Sequence, residues 1–347
     1  MQPFAIIRPK RVDQARELVV GKPELRVFRA GGVDLFDRMK EGIEDPELLV
    51  ELRDALTAGV ELTKDQPLVP VDTNPLPPAP RYVSAGALTT LAQLAAAALP
   101  GVDALHQAAG QAATPGIRNT ATLGGNLLQR PRCWYFRNRE LVCLKKGGDT
   151  CLAITGDSRY HAILGGGPSF IVHPSSLATA LLALDAVASV FVGDEQASPQ
   201  PVLPLHELFV GPEQDPTREH KLAPGDLLTR VWIPVLDDMR SAYQAVREKR
   251  SHDWPLVEAA ARLRLDQGGS MRDVRVALGH VAPIPWNASQ AAALLEGQTP
   301  SAKLFAQAAD AALADAAALE GNAYKIPMAK GLLRQVLHRA SGLALPE

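Results

Sequence analysis

Two double glycines, Gly31–Gly32 in "RAGGVDL" and Gly124–Gly125 in "RNTATLGGNL", constrain this chain more than any other feature. The first stands between a strand-like run and a helical pattern, and the second repeats the arrangement. Glycine tolerates positive φ and the close approach of another backbone. At such a junction consecutive N–H groups can converge on an anion, and the following helix N-terminus adds a favourable dipole. The second segment also brings hydroxyls at Thr120 and Thr122 and an amide at Asn126. Two such loops can grip a pyrophosphate from opposite sides, although a double glycine between elements also serves as a plain turn. Neither fits the GxGxxG fingerprint, and no phosphate loop with a lysine-serine or lysine-threonine ending is present. A nucleotide site here therefore needs another architecture.

The surrounding pattern mixes strands and helices. "FAIIRP" reads as a strand, followed by a helix from Asp13 to about Val20, and "LRVFRAGG" reads as a second strand. Residues 66–87, "QPLVPVDTNPLPPAPRYVSAGA", are rich in proline, which removes N–H donors and opposes helix. This stretch is expected to be a linker or an extended surface segment. "LTTLAQLAAAALP" is a helix capped by Thr89 or Thr90. "SSLATALLALDAVASVFV" is a capped helix running into a strand, and "GDLLTRVWIP" is a further strand. A composition shift near residues 237–243 marks a boundary. Beyond it, "WPLVEAAARLRLDQGGSMRDVRVALGHVAPIPWNA" reads as strand or helix, a glycine turn, then a strand. From Ser289 onward the chain is alanine-rich helix, which is usually scaffold. With no regular βαβ repeat, the expected fold class is α+β. Trp232, Trp254 and Trp286 are expected to be packing residues.

Composition narrows the function classes. The 347 residues carry a formal charge of −2, so no nucleic-acid partner is expected. No apolar run approaches the roughly 18 residues of a membrane span. The N-terminus shows no signal-peptide pattern, and an odd number of cysteines argues against a disulfide framework. The expected location is cytoplasmic.

All three cysteines, Cys133, Cys143 and Cys151, fall within "CWYFRNRELVCLKKGGDTC". The spacing C-x9-C-x7-C matches no general zinc pattern. Thiolates suit iron–sulfur or zinc centres, and a four-coordinate site needs one more ligand. His161 is the favoured fourth candidate, with Asp149, Asp157 and a water as rivals. The thiols also fit buried small hydrophobes, but a loop full of Arg, Lys, Gly and Asp is poor core material. Arg130, Arg132, Arg137, Arg139, Lys145 and Lys146 surround them and are expected to offset the charge of a thiolate cluster, or to form a solvated face.

Four ordered segments, "RVFRAGGVDLFDRMK", "IRNTATLGGNLLQ", "GDLLTRVWIP" and "RVALGHVAPIPWNA", resemble those of FAD-binding subunits in the xanthine dehydrogenase, or molybdenum hydroxylase, family. The resemblance runs through nearly the whole chain. It implies a two-lobed FAD-binding domain of the vanillyl-alcohol-oxidase (PCMH) type and a C-terminal α+β domain like that of CO dehydrogenase flavoprotein. The implied limits are residues 1–60 and 61–236 for the two lobes and 237–347 for the C-terminal domain. FAD would be held by Ala30, Gly31, Gly32, Val33, Asp34 and Leu35, and by Thr120, Thr122, Gly124, Gly125 and Asn126. "REKRSHDWPLVEAAA" matches the segment that approaches the flavin, so Lys249 or Arg250 could stabilise negative charge on its ring. The cysteine loop, residues 130–162, is similar to the insertion of the aldehyde oxidoreductase and 4-hydroxybenzoyl-CoA reductase branch, which carries an extra [4Fe–4S] cluster. That implies ligation by Cys133, Cys143 and Cys151, with His161 as the fourth ligand. Expected partners are a large molybdenum-cofactor subunit, a small [2Fe–2S] subunit and an external electron acceptor. Export to the periplasm on a partner's signal peptide remains compatible with this. A stand-alone FAD oxidase of the same fold and a zinc-stapled, non-enzymatic interaction protein are the alternatives.

Overall fold

The computed structural model describes residues 1–66, 77–193, 201–249 and 252–345. Strands β1 (Ala5–Ile7), β2 (Arg26–Arg29) and β3 (Leu48–Glu51) form a small parallel sheet in the order β1-β3-β2. The helices Val12–Val20 and Val33–Lys40 make its crossovers. The central strand β3 was not apparent in the sequence pattern. Its four residues are too short a run for periodicity to register, yet Leu49 and Val50 are fully buried.

Strands β4 (Val60–Thr63), β5 (Arg81–Gly86), β6 (Val187–Phe191), β7 (Val202–Pro204) and β8 (Leu227–Val235) build an antiparallel sheet in the order β4-β5-β8-β6-β7. Its core continues into the helices Leu91–Ala96, Asp103–Gln111 and Ser176–Ala183. The proline-rich stretch divides here. Residues 67–76 lie outside the described residues, whereas Arg81–Gly86 is an interior strand paired on both sides, not a surface linker. Proline stops short of this strand, so its N–H groups remain free for the ladder. Of the two cap candidates, Thr90 takes the role, and Gln93 completes a capping box.

Strands β9 (Arg240–Val246), β10 (Val257–Leu265), β11 (Met271–Gly279) and β12 (Trp286–Asn287) form the third sheet, antiparallel in the order β12-β11-β10-β9. The run "VEAAARL" left strand and helix open, and burial on both faces explains why. Ala259, Ala261 and Leu263 face the helices Ser289–Leu295, Ala302–Ala312 and Lys325–Ser341. Ala260 faces the opposite core, and beside it Glu258 accepts hydrogen bonds from Ser176 and Thr179 of the helix Ser176–Ala183. A strand buried on both sides reads as a continuous apolar run, like a buried helix. Small alanine side chains let helices pack closely on each face. The α+β expectation holds.

Candidate functional site

The two glycine loops touch. An ideal Cβ placed on Gly31 would drive into the backbone carbonyl of Thr120, so only glycine lets these segments close on each other. Gly32 adopts φ +74° and is the N-cap of the helix Val33–Lys40, which no side chain caps. The first N–H groups of that helix have no intrahelical partner and are available to an anion.

The second loop differs. Its amides are committed: Leu123 N–H to the Thr89 carbonyl at 2.8 Å, Gly124 to Ala87 at 2.9 Å, Gly125 to the Thr122 hydroxyl at 3.2 Å, and Asn126 to the Thr122 carbonyl at 2.8 Å. The Asn126 amide oxygen accepts from Ser175 at 2.7 Å. The loops are therefore not two equivalent anion nests. The first offers donors, and the second forms a rigid wall.

Between them lies a cavity of about 430 Å³, within the range of ligand sites. All of Ala30, Gly31, Gly32, Val33, Asp34 and Leu35 line it, together with Thr122, Gly124, Gly125 and Asn126. Thr120 does not; it is exposed and contributes its carbonyl to the loop contact. Arg29, Arg132 and Arg247 also line the cavity, and sequence reasoning had not assigned any of them to it. Arg29 pairs with Glu51 across neighbouring strands, and Arg247 is fixed by the carbonyls of Asp253 and Gln111 at 3.0 and 2.9 Å.

The Asp34 carboxylate does not face an open anion site. It meets Arg38 at 3.1 Å, Arg132 at 3.1 Å and Arg137 at 2.6 Å, and accepts the Arg130 N–H at 3.1 Å. Burial acts to raise its pKa, but the three guanidinium groups outweigh this and hold it below the ordinary carboxylate value of 3.8. Arg132 and Arg137 belong to the cysteine loop, so this single acid ties that loop to the first glycine loop. Asp34→Ala is expected to destabilise the fold by about 1–3 kcal/mol, since it removes an acceptor shared by three partly buried guanidinium groups, which keep only Glu44, Asp37 and Glu41; thermal melting measures the loss. Because the folded pKa is depressed, this contribution is present above pH 3.8 and lost as pH falls through the lower folded value.

A second cavity of about 390 Å³ adjoins the first through Arg132, Pro174, Asp253, Trp254 and Pro255. Lys249 lines this one and not the glycine-loop cavity, and it forms no ion pair with a described residue. Arg250 lies outside the described residues. Trp254 is not a packing residue: it is 49% exposed, carries the Arg132 guanidinium 4.7 Å from its ring centre, and lines both cavities. Cys133 and His161 form the far wall.

The three thiols are free and folded inward, with Cys143 and Cys151 buried. Burial pushes the Cys133 thiol up to about 11, and the two other thiols add slightly to the rise. A thiol so protonated is a poor nucleophile. Its Sγ lies 3.3 Å from Nε2 of His161, while Cys151 accepts the Phe170 N–H at 3.5 Å. His161 is buried between Trp134 and Tyr135, and its Nδ1 has no partner. Desolvation lowers its pKa to about 4, which leaves the imidazole neutral, the form that ligates metal. Of the rivals, Asp149 is exposed, and Asp157 is engaged by Arg159 at 2.7 Å. Among the described residues no three His, Cys, Asp or Glu stand close enough to hold a single ion.

Four of the six cations expected to offset a thiolate cluster have carboxylate partners. Arg130 and Lys145 pair with Glu219 at 3.0 and 2.9 Å, Arg132 with Asp34 and Asp37, and Arg137 with Asp34 and Glu41. These four cations anchor the loop to its neighbours, while Lys146 donates to the Asn138 carbonyl at 2.5 Å.

Comparison with known proteins agrees with this geometry. Residues 76–236 match the FAD binding domain in molybdopterin dehydrogenase, and residues 241–340 match the CO dehydrogenase flavoprotein C-terminal domain. The aldehyde oxidoreductase FAD-binding subunit PaoB of Escherichia coli (strain K12) is 34% identical over 323 residues, covering 91% of this chain and 92% of that protein. Among solved structures, a chain of reconstituted CO dehydrogenase from Oligotropha carboxidovorans superposes with a TM-score of 0.70 at 22% identity, covering 99% of this chain and all of that one. A chain of quinoline 2-oxidoreductase from Pseudomonas putida 86 gives 0.69 at 20% identity, covering 99% and 98%. The fold is thus shared with both, and the chain belongs to the FAD-binding subunits of the molybdenum hydroxylase family.

Proposed function

We propose that this chain is the FAD-bearing electron-transfer subunit of a heteromeric molybdenum oxidoreductase acting on aldehydes or related substrates. The observation that carries this reading is the closure of the two glycine loops over one cavity, with free helix amides on one side. FAD bound here would supply the redox chemistry between molybdenum and iron–sulfur centres and an external acceptor, and the residues of the cavity would hold and orient it. The backbone of Ala30–Leu35 would hold its diphosphate, with Gly124, Gly125 and Asn126 as the opposing wall and Thr122 as a hydroxyl donor. Lys249, Trp254 and Arg247 stand where the C-terminal sheet reaches the cavities. The lobes 1–60 and 61–236 and the domain 237–347 are the proposed units.

The cysteine loop would hold a [4Fe–4S] cluster through Cys133, Cys143, Cys151 and His161. A four-iron cluster takes one ligand per iron, so its ligands need not crowd around one point as those of a single ion must. The buried thiols of Cys143 and Cys151, the N–H donor to Cys151 and the contact of the buried His161 with Cys133 support this reading. A large molybdenum-cofactor subunit and a small [2Fe–2S] subunit are the proposed partners.

The chain purified alone is expected to carry flavin bands with a broad iron–sulfur shoulder, yet to leave aldehydes and N-heterocycles unhydroxylated. Co-expression with the two partner subunits restores turnover. Enzyme-like turnover by the chain alone, with no molybdenum present, defeats the subunit reading in favour of a stand-alone oxidase. A colourless protein with stoichiometric zinc defeats it in favour of an interaction protein. No helix among the described residues is long and apolar enough to cross a membrane.

A further inference from the structure

The second cavity, of about 390 Å³, is built differently from the first. No glycine lines it, and the helix that starts on its wall, Trp134–Arg137, is a single turn. Its charges balance. Lys249 and Arg132 stand against Glu248 and Asp253, and the Arg132 guanidinium is already taken up by Asp34 and Asp37 at 3.1 and 3.0 Å. The two imidazoles on the wall are neutral, because desolvation lowers both His161 and His280 to about 4. A dinucleotide brings phosphate charges for which this cavity has no surplus of cations, and burying them unpaired is costly. An uncharged ligand suits it.

The walls are aromatic. Trp134 meets Tyr160 edge-on, with ring centres 5.4 Å apart, and Trp254 stands on the side shared with the first cavity. Half-exposed as it is, the Trp254 ring is held by the Arg132 guanidinium stacked over it. Such walls favour a flat ring, through offset or edge-on stacking. Two polar groups complete the lining. Lys249 has no ion-pair partner among the described residues and offers N–H donors. Glu248 accepts the Tyr160 hydroxyl at 2.6 Å, which fixes its carboxylate as an acceptor. A ring that carries carbonyls when oxidised and hydroxyls when reduced meets a hydrogen-bond partner in either state.

We propose that the second cavity binds a quinone, as the external acceptor, beside the flavin site. The inference rests on the reading of the first cavity as that site. The shared wall of Pro174, Trp254 and Pro255 sets the two ligands side by side. The quinone takes two electrons and two protons from the reduced cofactor, its two carbonyl oxygens becoming hydroxyls. It leaves as the quinol, and the cofactor returns to its oxidised form.

The test uses the full chain as purified, with its flavin oxidised, so that binding is read without turnover. Isothermal titration calorimetry with duroquinone, whose fully substituted ring adds to no thiol, measures the affinity. Val172 lines the second cavity and not the first, so Val172→Trp fills the one without touching the glycine loops. This variant is expected to bind duroquinone at least about tenfold more weakly while its flavin content stays at the wild-type level. Lys249→Met removes a charged donor and is expected to cost about tenfold in affinity, with Lys249→Gln less affected. After reduction by dithionite, limiting duroquinone is expected to reoxidise the variants more slowly, in the same order. A flavin-loaded wild type that binds no duroquinone overturns the inference. Wild-type affinity in Val172→Trp overturns it too, and Lys249→Met decides the matter if that variant does not accumulate. Flavin lost from Val172→Trp together with duroquinone binding overturns it in another way, since the cavity then seats the flavin ring itself. A wild type without flavin overturns the flavin reading and this inference with it.

Discussion

Gly31→Val is expected to abolish flavin retention while the chain still folds, and to do so more completely than the same change at any other glycine of the site. The reason is what the new side chain meets. At Gly31 an added Cβ enters the Thr120 carbonyl, and backbone cannot rotate away as a side chain can. The loops must separate, and the cavity between them opens. At Gly32 the strain has two sources. The φ of +74° disfavours any branched residue, at a cost of about 1–2 kcal/mol, and the Cβ meets the Phe36 ring at 2.8 Å, which can turn aside. Gly32→Val is therefore severe and Gly32→Ala milder. At Gly124 the neighbours are the Ala87 Cβ and carbonyl, at 3.2 and 3.3 Å. Overpacking there costs about 1–3 kcal/mol, so stability falls more than flavin content. Gly21→Ala, where the Cβ meets nothing within 4 Å, serves as the control. The flavin-to-protein ratio after gel filtration, with circular dichroism to verify folding, gives the order. Full occupancy in Gly31→Val removes the glycine loops from the cofactor site.

The contrast among these glycines marks where sequence reasoning reaches and where it stops. The first double glycine was legible as a junction, because a strand-like run, two glycines and a helical run form a local pattern. The second was misread as a repeat of it, since Gly124 and Gly125 lie inside the short helix Leu123–Leu127, which follows the helix Pro115–Arg118. Their different duties were not legible, because the need at Gly31 comes from Thr120, far away in the chain. Helix starts at Thr90 and Ser175 were legible for the same local reason: a hydroxyl ahead of an apolar run caps the amides that follow. The central strand β3 was missed, since its burial comes from two neighbours it meets only in the folded sheet. The cations of the cysteine loop were visible, but their partners were not. Asp34, Asp37 and Glu41 sit on or at the end of the helix of the first glycine loop, so Arg132 and Arg137 join the two loops. Trp254 followed the usual fate of tryptophan in the sequence, and its exposure on a cavity wall emerges only from the meeting of two domains.

The anchoring of the cysteine loop by its arginines shapes the second large effect, the loss of iron on removing a thiol. Cys133→Ser, Cys143→Ser and Cys151→Ser are each expected to lose most of the iron, because the ligands that remain cannot close the coordination sphere. Flavin content is expected to survive. Arg132 and Arg137 still bind Asp34, and Arg130 and Lys145 still bind Glu219, so the loop keeps its place against the first glycine loop without metal. A buried serine hydroxyl left unpaired costs about 1–3 kcal/mol by itself, so Cys143→Ala and Cys151→Ala separate that penalty from ligation. His161→Ala is expected to weaken or convert the cluster. His161→Cys retains it at a lower potential, since imidazole in place of thiolate raises the potential. Iron and sulfide analysis with electron paramagnetic resonance on each reduced variant measures these outcomes. Wild-type iron and spectra in all three cysteine variants mean that the loop is no cluster site. Iron lost together with flavin means that the metal, and not the arginine network, holds the loop against the cofactor cavity.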